Sequence, residues 1–128
     1  MKHFFPIRVF YEDTDMAGIV YYANYLRYIE RARSMWVEEA GVDQNAMRAD
    51  GIVFVVRRIE ADYIAPARFA DNLVVETDIH KVSGVRLEFR QKVKRGDQLL
   101  FDSRVLAVCM NKAGKVVRLP KGVVTGPE

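Results

Sequence analysis

Tyr11–Gly41 reads YEDTDMAGIVYYANYLRYIERARSMWVEEAG. Within it, apolar or aromatic side chains recur at Tyr22, Tyr25, Ile29, Ala32, Trp36 and Ala40. Gaps of three and four residues trace one face of a helix. Arg27, Glu30, Arg31, Glu38 and Glu39 fall on the opposite positions. Gly41 stands where a helix end needs a residue free to enter the left-handed region. The spacing predicts a helix of about 18 residues, roughly 27 Å long. A helix of that length, with Tyr21, Tyr22, Tyr25, Tyr28 and Trp36 on or near it, needs a broad apolar cover.

Just before the helix lie Glu12, Asp13 and Asp15, followed by the flexible Met16-Ala17-Gly18 turn. The first N–H groups of a helix lack intrahelical acceptors and sit at the positive end of its dipole. They can polarise a carbonyl or stabilise an anion. A carboxylate held beside them supplies two parts of an acyl-transfer site. The same carboxylate could instead simply satisfy those donors as a cap. Asp13 and Glu30 read as structural, pairing with Arg31 or Arg33.

Outward from the helix, the chain reads as strands. Phe4–Tyr11 alternates, and Val42–Asp50 allows a short second helix with Asp43 as its N-cap. Ile52–Ile64 is rich in β-formers. Asn72–Val82 alternates Leu73, Val75, Thr77 and Ile79 against Val74, Glu76, Asp78 and His80. Ser83-Gly84 leads into Val85–Val93, where Val85, Leu87, Phe89, Gln91 and Val93 share one side. Lys94–Asp97 turns into Leu99–Met110, and Val116-Val117 is a last apolar piece. One helix followed by adjacent strands means α+β with a largely antiparallel sheet, its last three long strands forming a meander. No repeat or linker divides residues 1–128, which read as one domain. Ile52–Ile64 and Leu99–Met110 are apolar on both faces for several residues, so the helix is expected on one face and a partner subunit on the other.

Half of the 128 residues are hydrophobic and 29% are charged, the balance of a globular chain. The net charge of +3 is too small to argue for nucleic acid. No apolar run reaches the ~18 residues of a membrane span, and the first residues lack a signal peptide's apolar core. The cytoplasm is the expected address. Cys109, the single cysteine, lies in an apolar run and reads as a buried inert thiol. His3 and His80 have no metal-ligand spacing, so no metal is expected.

Two stretches carry a family resemblance. Tyr11–Tyr22, continuing through Asn24-Tyr25 to Glu30–Arg33, resembles the opening of the hotdog-fold acyl-CoA thioesterases. The nearest groups are the 4-hydroxybenzoyl-CoA thioesterase family and its tol-pal-associated branch. Asp62–Asp71 resembles that family's link between its second and third strands, where the family more often has Gly at the place of Ala70. Many members of the branch carry His where this chain has Tyr22, so the backbone N–H remains and the imidazole does not.

The resemblance implies a hotdog fold, one long central helix wrapped by a curved antiparallel sheet of about five strands. It implies hydrolysis of short-chain or aromatic acyl-CoA thioesters without a cofactor, coenzyme A being part of the substrate. Asp15 would be the catalytic carboxylate, as nucleophile or as general base. The Tyr22 N–H would stabilise the oxyanion. Tyr21, Tyr25, Val55 and Val56 are candidates for the acyl and pantetheine walls. Arg57, Arg58, Lys81, Ser83 and Arg86 are candidates for the phosphates. The resemblance also implies a dimer or a dimer of dimers, with sites across the interface. The competing class is a non-catalytic module that binds acyl-CoA or an acyl carrier protein.

Overall fold

The computed structural model describes residues 2–125. Its elements are β1 (His3–Arg8), a 3-10 turn (Tyr11–Asp13), α1 (Asn24–Glu39), α2 (Gln44–Ala49), β2 (Val53–Tyr63), β3 (Asn72–Val82), β4 (Leu87–Arg95), β5 (Gln98–Met110), β6 (Val116–Val117) and α3 (Lys121–Thr125). The sheet runs β1-β3-β4-β5-β2, every pairing antiparallel, and short β6 adds to β5. The sixth strand is a two-residue addition to the five expected.

α1 buries Tyr25, Tyr28, Ile29, Ala32, Trp36 and Val37. Its 16 residues make it about 24 Å long. The periodic face begins one turn later than its spacing predicts. Tyr22 belongs to the turn before the helix and stays exposed, while Tyr28 is buried. At the other end Gly41 takes φ +85°, and the Gly41 and Val42 amides donate to the Glu38 and Val37 carbonyls. Those two bonds satisfy carbonyls that the helix leaves over. Asp43 caps α2, its carboxylate accepting from the Asn45 and Ala46 amides. β1 is shorter than its pattern, because Tyr11 enters the 3-10 turn.

α1 packs chiefly on β3 and β1. Trp36 meets Phe89 edge-on at 5.3 Å, and Tyr25 stacks on Phe101 at 5.0 Å. One polar row crosses this apolar face. Gln91 donates to the Ile29 carbonyl (2.9 Å) and to Thr77 Oγ1 (3.0 Å), and accepts from Arg33 Nη1 (2.9 Å). Ser103 Oγ donates to the Gln91 carbonyl. Each buried group in the row is partnered, which avoids the penalty of an orphaned polar atom. Among the described residues neither Asp13 nor Glu30 forms an ion pair with Arg31 or Arg33. Asp13 accepts from the Phe10 amide, and Glu30 accepts from Ser34 Oγ.

The helix leaves the inner face of edge strand β2 uncovered. Val56, Ile59 and Tyr63 pair with buried Ala107, Val105 and Phe101, yet remain 42%, 37% and 48% exposed. Leu26, on the helix flank, is also exposed. The opposite face is apolar only at one end, where Val53 and Val55 pair with Met110 and Val108. Arg58, Glu60, Asp62, Arg90, Asp102 and Arg104 fill its middle, with Arg90–Asp102 and Arg58–Glu60 pairs. Most of the exposed apolar surface of β2 therefore lies beside the helix.

Candidate active site

Asp15 sits at the start of a tight turn. Its amide donates to the Ile19 carbonyl (3.0 Å), and its own carbonyl accepts from Gly18 (2.9 Å). Gly18 has φ +78°, which a residue with a Cβ adopts only at a cost. The carboxylate Oδ1 accepts the Ala17 N–H at 2.9 Å. Asp15 is exposed, and no cation pairs with it among the described residues. Thr14 bridges Val20 and Ile19 bridges Arg68, while the Val20 amide donates to the Ala67 carbonyl. These contacts fasten the turn to the link between β2 and β3.

The chain then reaches α1 through Tyr21-Tyr22-Ala23. The Tyr21 amide donates to the Asp13 carbonyl (2.9 Å), and the Asn24 amide donates to the Tyr21 carbonyl (2.8 Å). Asn24 Nδ2 also donates to the Asp13 carbonyl. In a trans peptide the C=O and N–H point in opposite directions. Holding the Tyr21 carbonyl on Asn24 therefore turns the Tyr22 N–H outward, where it has no acceptor among the described residues.

Asp15, Ile19, Val20, Tyr22, Tyr25, Tyr63, Ile64, Ala65 and Pro66 line one open cleft of about 440 Å³. Asp15 and Tyr22 thus share a cavity, as their order along the chain suggests. Tyr25 is a buried wall whose hydroxyl accepts from the Ala67 amide, and burial pushes its pKa up. Tyr21 lies outside that lining, 4.9 Å from the Tyr22 ring. Its phenol is pushed up chiefly by the Tyr22 hydroxyl, with a smaller contribution from Asp15. Tyr63 was not singled out by its sequence. It closes β2, meets Tyr22, Tyr25 and Phe101 edge-on, and donates from its hydroxyl to the Tyr22 carbonyl at 2.9 Å. The available signal was its place in the Asp62–Asp71 stretch.

The remaining candidates lie elsewhere. Val56 faces the helix side and lines a second depression with Glu30, Arg33, Ser34, Val37 and Phe54. Val55, its neighbour on a pleated strand, points to the other face. Arg57 is the extra residue of a bulge between Val56 and Arg58, and Arg58 pairs with Glu60. Lys81, Ser83 and Arg86 come together in one depression with Val82, Glu88 and Leu106. Within one chain they stand at the far end of β3 from the Asp15 turn, roughly 30 Å away along the strand. Cys109 is buried and its thiol is pushed up to about 11 by that burial. Among the described residues no cluster of three or more His, Cys, Asp or Glu side chains is gathered for a metal, and no helix is long and apolar enough to cross a membrane.

The sequence profile described as the thioesterase-like superfamily matches residues 9–125. An acyl-CoA thioester hydrolase, YbgC of Escherichia coli, is 40% identical over 121 residues, spanning 93% of this chain and 90% of the relative. The acyl-CoA thioesterase YbgC of Haemophilus influenzae is 36% identical, covering 93% and 89%. Among solved structures, a probable thioesterase from Bartonella henselae superposes with a TM-score of 0.88 at 34% identity, covering 94% of this chain and 100% of the other.

Proposed function

The chain belongs to the thioesterase-like superfamily, and from that premise we propose that it hydrolyses acyl-CoA thioesters in the Asp15 cleft. The observation that carries the site is the convergence of Asp15 and of Tyr22, whose N–H is turned outward just before α1, on one cavity. Asp15 attacks the thioester carbonyl to give a mixed anhydride that water then hydrolyses to the free acid, or it draws a proton from water that attacks the carbonyl directly. The Tyr22 N–H receives the charge that develops on the carbonyl oxygen. The coenzyme A thiolate leaves without needing a strong acid. Tyr25 and Tyr63 give the cleft an aromatic wall, which suits a short-chain or aromatic acyl group. An acyl carrier protein could present the same thioester.

The site works in a dimer. The exposed inner face of β2 supports edge-to-edge pairing of two copies. Antiparallel pairing of β2 with itself near its middle lays the Val56 end of one chain beside the Tyr63 end of its partner. The same rotation gives the phosphates of a substrate in one cleft access to basic residues of the other chain, Arg57, Arg58, Lys81 and Arg86 among them. The assembly is a dimer or a dimer of dimers, in a cytoplasmic setting.

The test is thiol release measured over a panel of aromatic and aliphatic acyl-CoAs, with Asp15→Asn beside the wild type. Asn retains an oxygen for the Ala17 amide, so the turn survives. Turnover falls by at least ~100-fold, the scale of a lost positioned base. Tight binding of acyl-CoA by the wild type with no thiol release would instead make the protein a binding module.

A further inference from the structure

We infer that Tyr63 is a positioning residue for the oxyanion donor, holding the Tyr22 peptide in register with the wall of the cleft. This rests on the proposed role of the Asp15 cleft and gives the hydroxyl of Tyr63, whose ring is part of the cleft wall, a task of its own.

Two peptide planes meet at the Tyr22 Cα, and each is held by a different bond. The plane before it, which carries the Tyr22 N–H, is fixed by Asn24 on the Tyr21 carbonyl (2.8 Å). The plane after it is fixed by Tyr63 Oη on the Tyr22 carbonyl (2.9 Å). The Asn24 bond is local, and it moves with the turn. The Tyr63 bond spans 41 positions of chain and ties the turn to the end of β2. Tyr63 is itself held from three sides, by the Tyr22, Tyr25 and Phe101 rings at 6.2, 5.5 and 5.0 Å. The next two amides, of Ile64 and Ala65, both donate to the Leu100 carbonyl, so the strand end cannot drift.

The consequence is geometric. An N–H that stabilises a developing oxyanion acts only when it is aimed at that oxygen beforehand. Without the Tyr63 hydroxyl the turn, and the Tyr22 N–H that it carries, can shift against the wall of the cleft while the turn's own bonds stay made. A mobile donor still meets the ground-state substrate but loses part of its hold on the transition state. Loss of turnover without loss of affinity is the signature of such a change.

Tyr63→Phe keeps the ring contacts and removes only the hydroxyl. We expect kcat to fall ~10-fold, part of the ~100-fold or more that removal of a whole oxyanion donor costs. KM, thermal midpoint and affinity for a non-hydrolysable thioether analogue of the substrate stay near wild type. The pH profile of kcat keeps its shape. Tyr63→Leu, which also removes the ring, weakens analogue binding as well. Unchanged kcat in Tyr63→Phe overturns the inference, as does a loss of rate matched by a loss of folded protein. A displaced pH limb also overturns it, since Tyr63 would then be moving a proton. Asp15→Asn assayed in parallel separates the two levels. If Asp15→Asn is inactive and Tyr63→Phe is fully active, only the Tyr63 role falls; if both are fully active, the cleft itself is not the site.

Discussion

The Ala70 amide donates to the Val9 carbonyl at 3.0 Å, and Ala70 makes that bond at φ +70°. Val9 is fully buried, and its own amide donates to the Asp71 carbonyl. The two bonds seat the β2–β3 link on the segment leading to the Asp15 turn. Among the described residues Ala70 is the only one other than Gly with a positive φ. A Cβ in that region crowds the following carbonyl.

Ala70→Gly therefore relieves strain of about 1–2 kcal/mol in the folded chain. It also frees the unfolded chain by about 0.5–1 kcal/mol, which works against folding. The net expectation is a stabilisation of about 0.5–1 kcal/mol, read as a rise of a few degrees in the thermal midpoint. A fall in the midpoint would mean that the left-handed conformation carries no strain here.

The Ala70 position shows what could be read beforehand. The substitution of Ala for Gly was visible in the sequence, but its backbone angle was not. Local signals fared best: the three-four spacing of Tyr25, Ile29, Ala32 and Trp36, the Asp43 cap, and Gly18 after Asp15 all depend on residues a few positions apart. Gln91 was placed on the correct side of its strand by alternation. Its role as the hub of a polar row was hidden, because Ile29 and Arg33 lie some 60 positions away in the chain. Tyr63 was hidden for the same reason. The separation of Lys81, Ser83 and Arg86 from Asp15 follows from strand length and direction, which a list of basic residues does not contain.

Acid sensitivity follows from two carboxylates held by cations. Hydrogen bonding from Lys94 (2.5 Å), aided by Lys2 (3.4 Å), holds Glu76 below the usual 4.5. For Asp71, burial pushes upward, but the Arg68 amide and the Arg95 guanidinium outweigh it and leave it below 3.8. A pKa depressed by folding adds stability above the unfolded value, and that stability is lost as pH falls through the folded value. The thermal midpoint should therefore decline as the pH drops below about 4.5. The difference between wild type and Glu76→Gln, present near neutrality, should shrink over the same range. A constant difference down to strong acid would remove Glu76 from the acid response.

Ile59 is 37% exposed, on the inner face of β2 midway between Val56 and Tyr63. If two copies pair through β2, Ile59 lies near the two-fold axis and a charge there meets its own copy. Burying two like charges against each other costs several kcal/mol, far more than a single exposed site can. In a separate subunit the same side chain would remain partly in water, so Ile59→Glu should leave the fold intact. The expected outcome is a monomer by light scattering with near-native circular dichroism. Thiol release should fall with the dimer fraction and recover as protein concentration is raised. A variant that stays dimeric and fully active would place the interface on another surface.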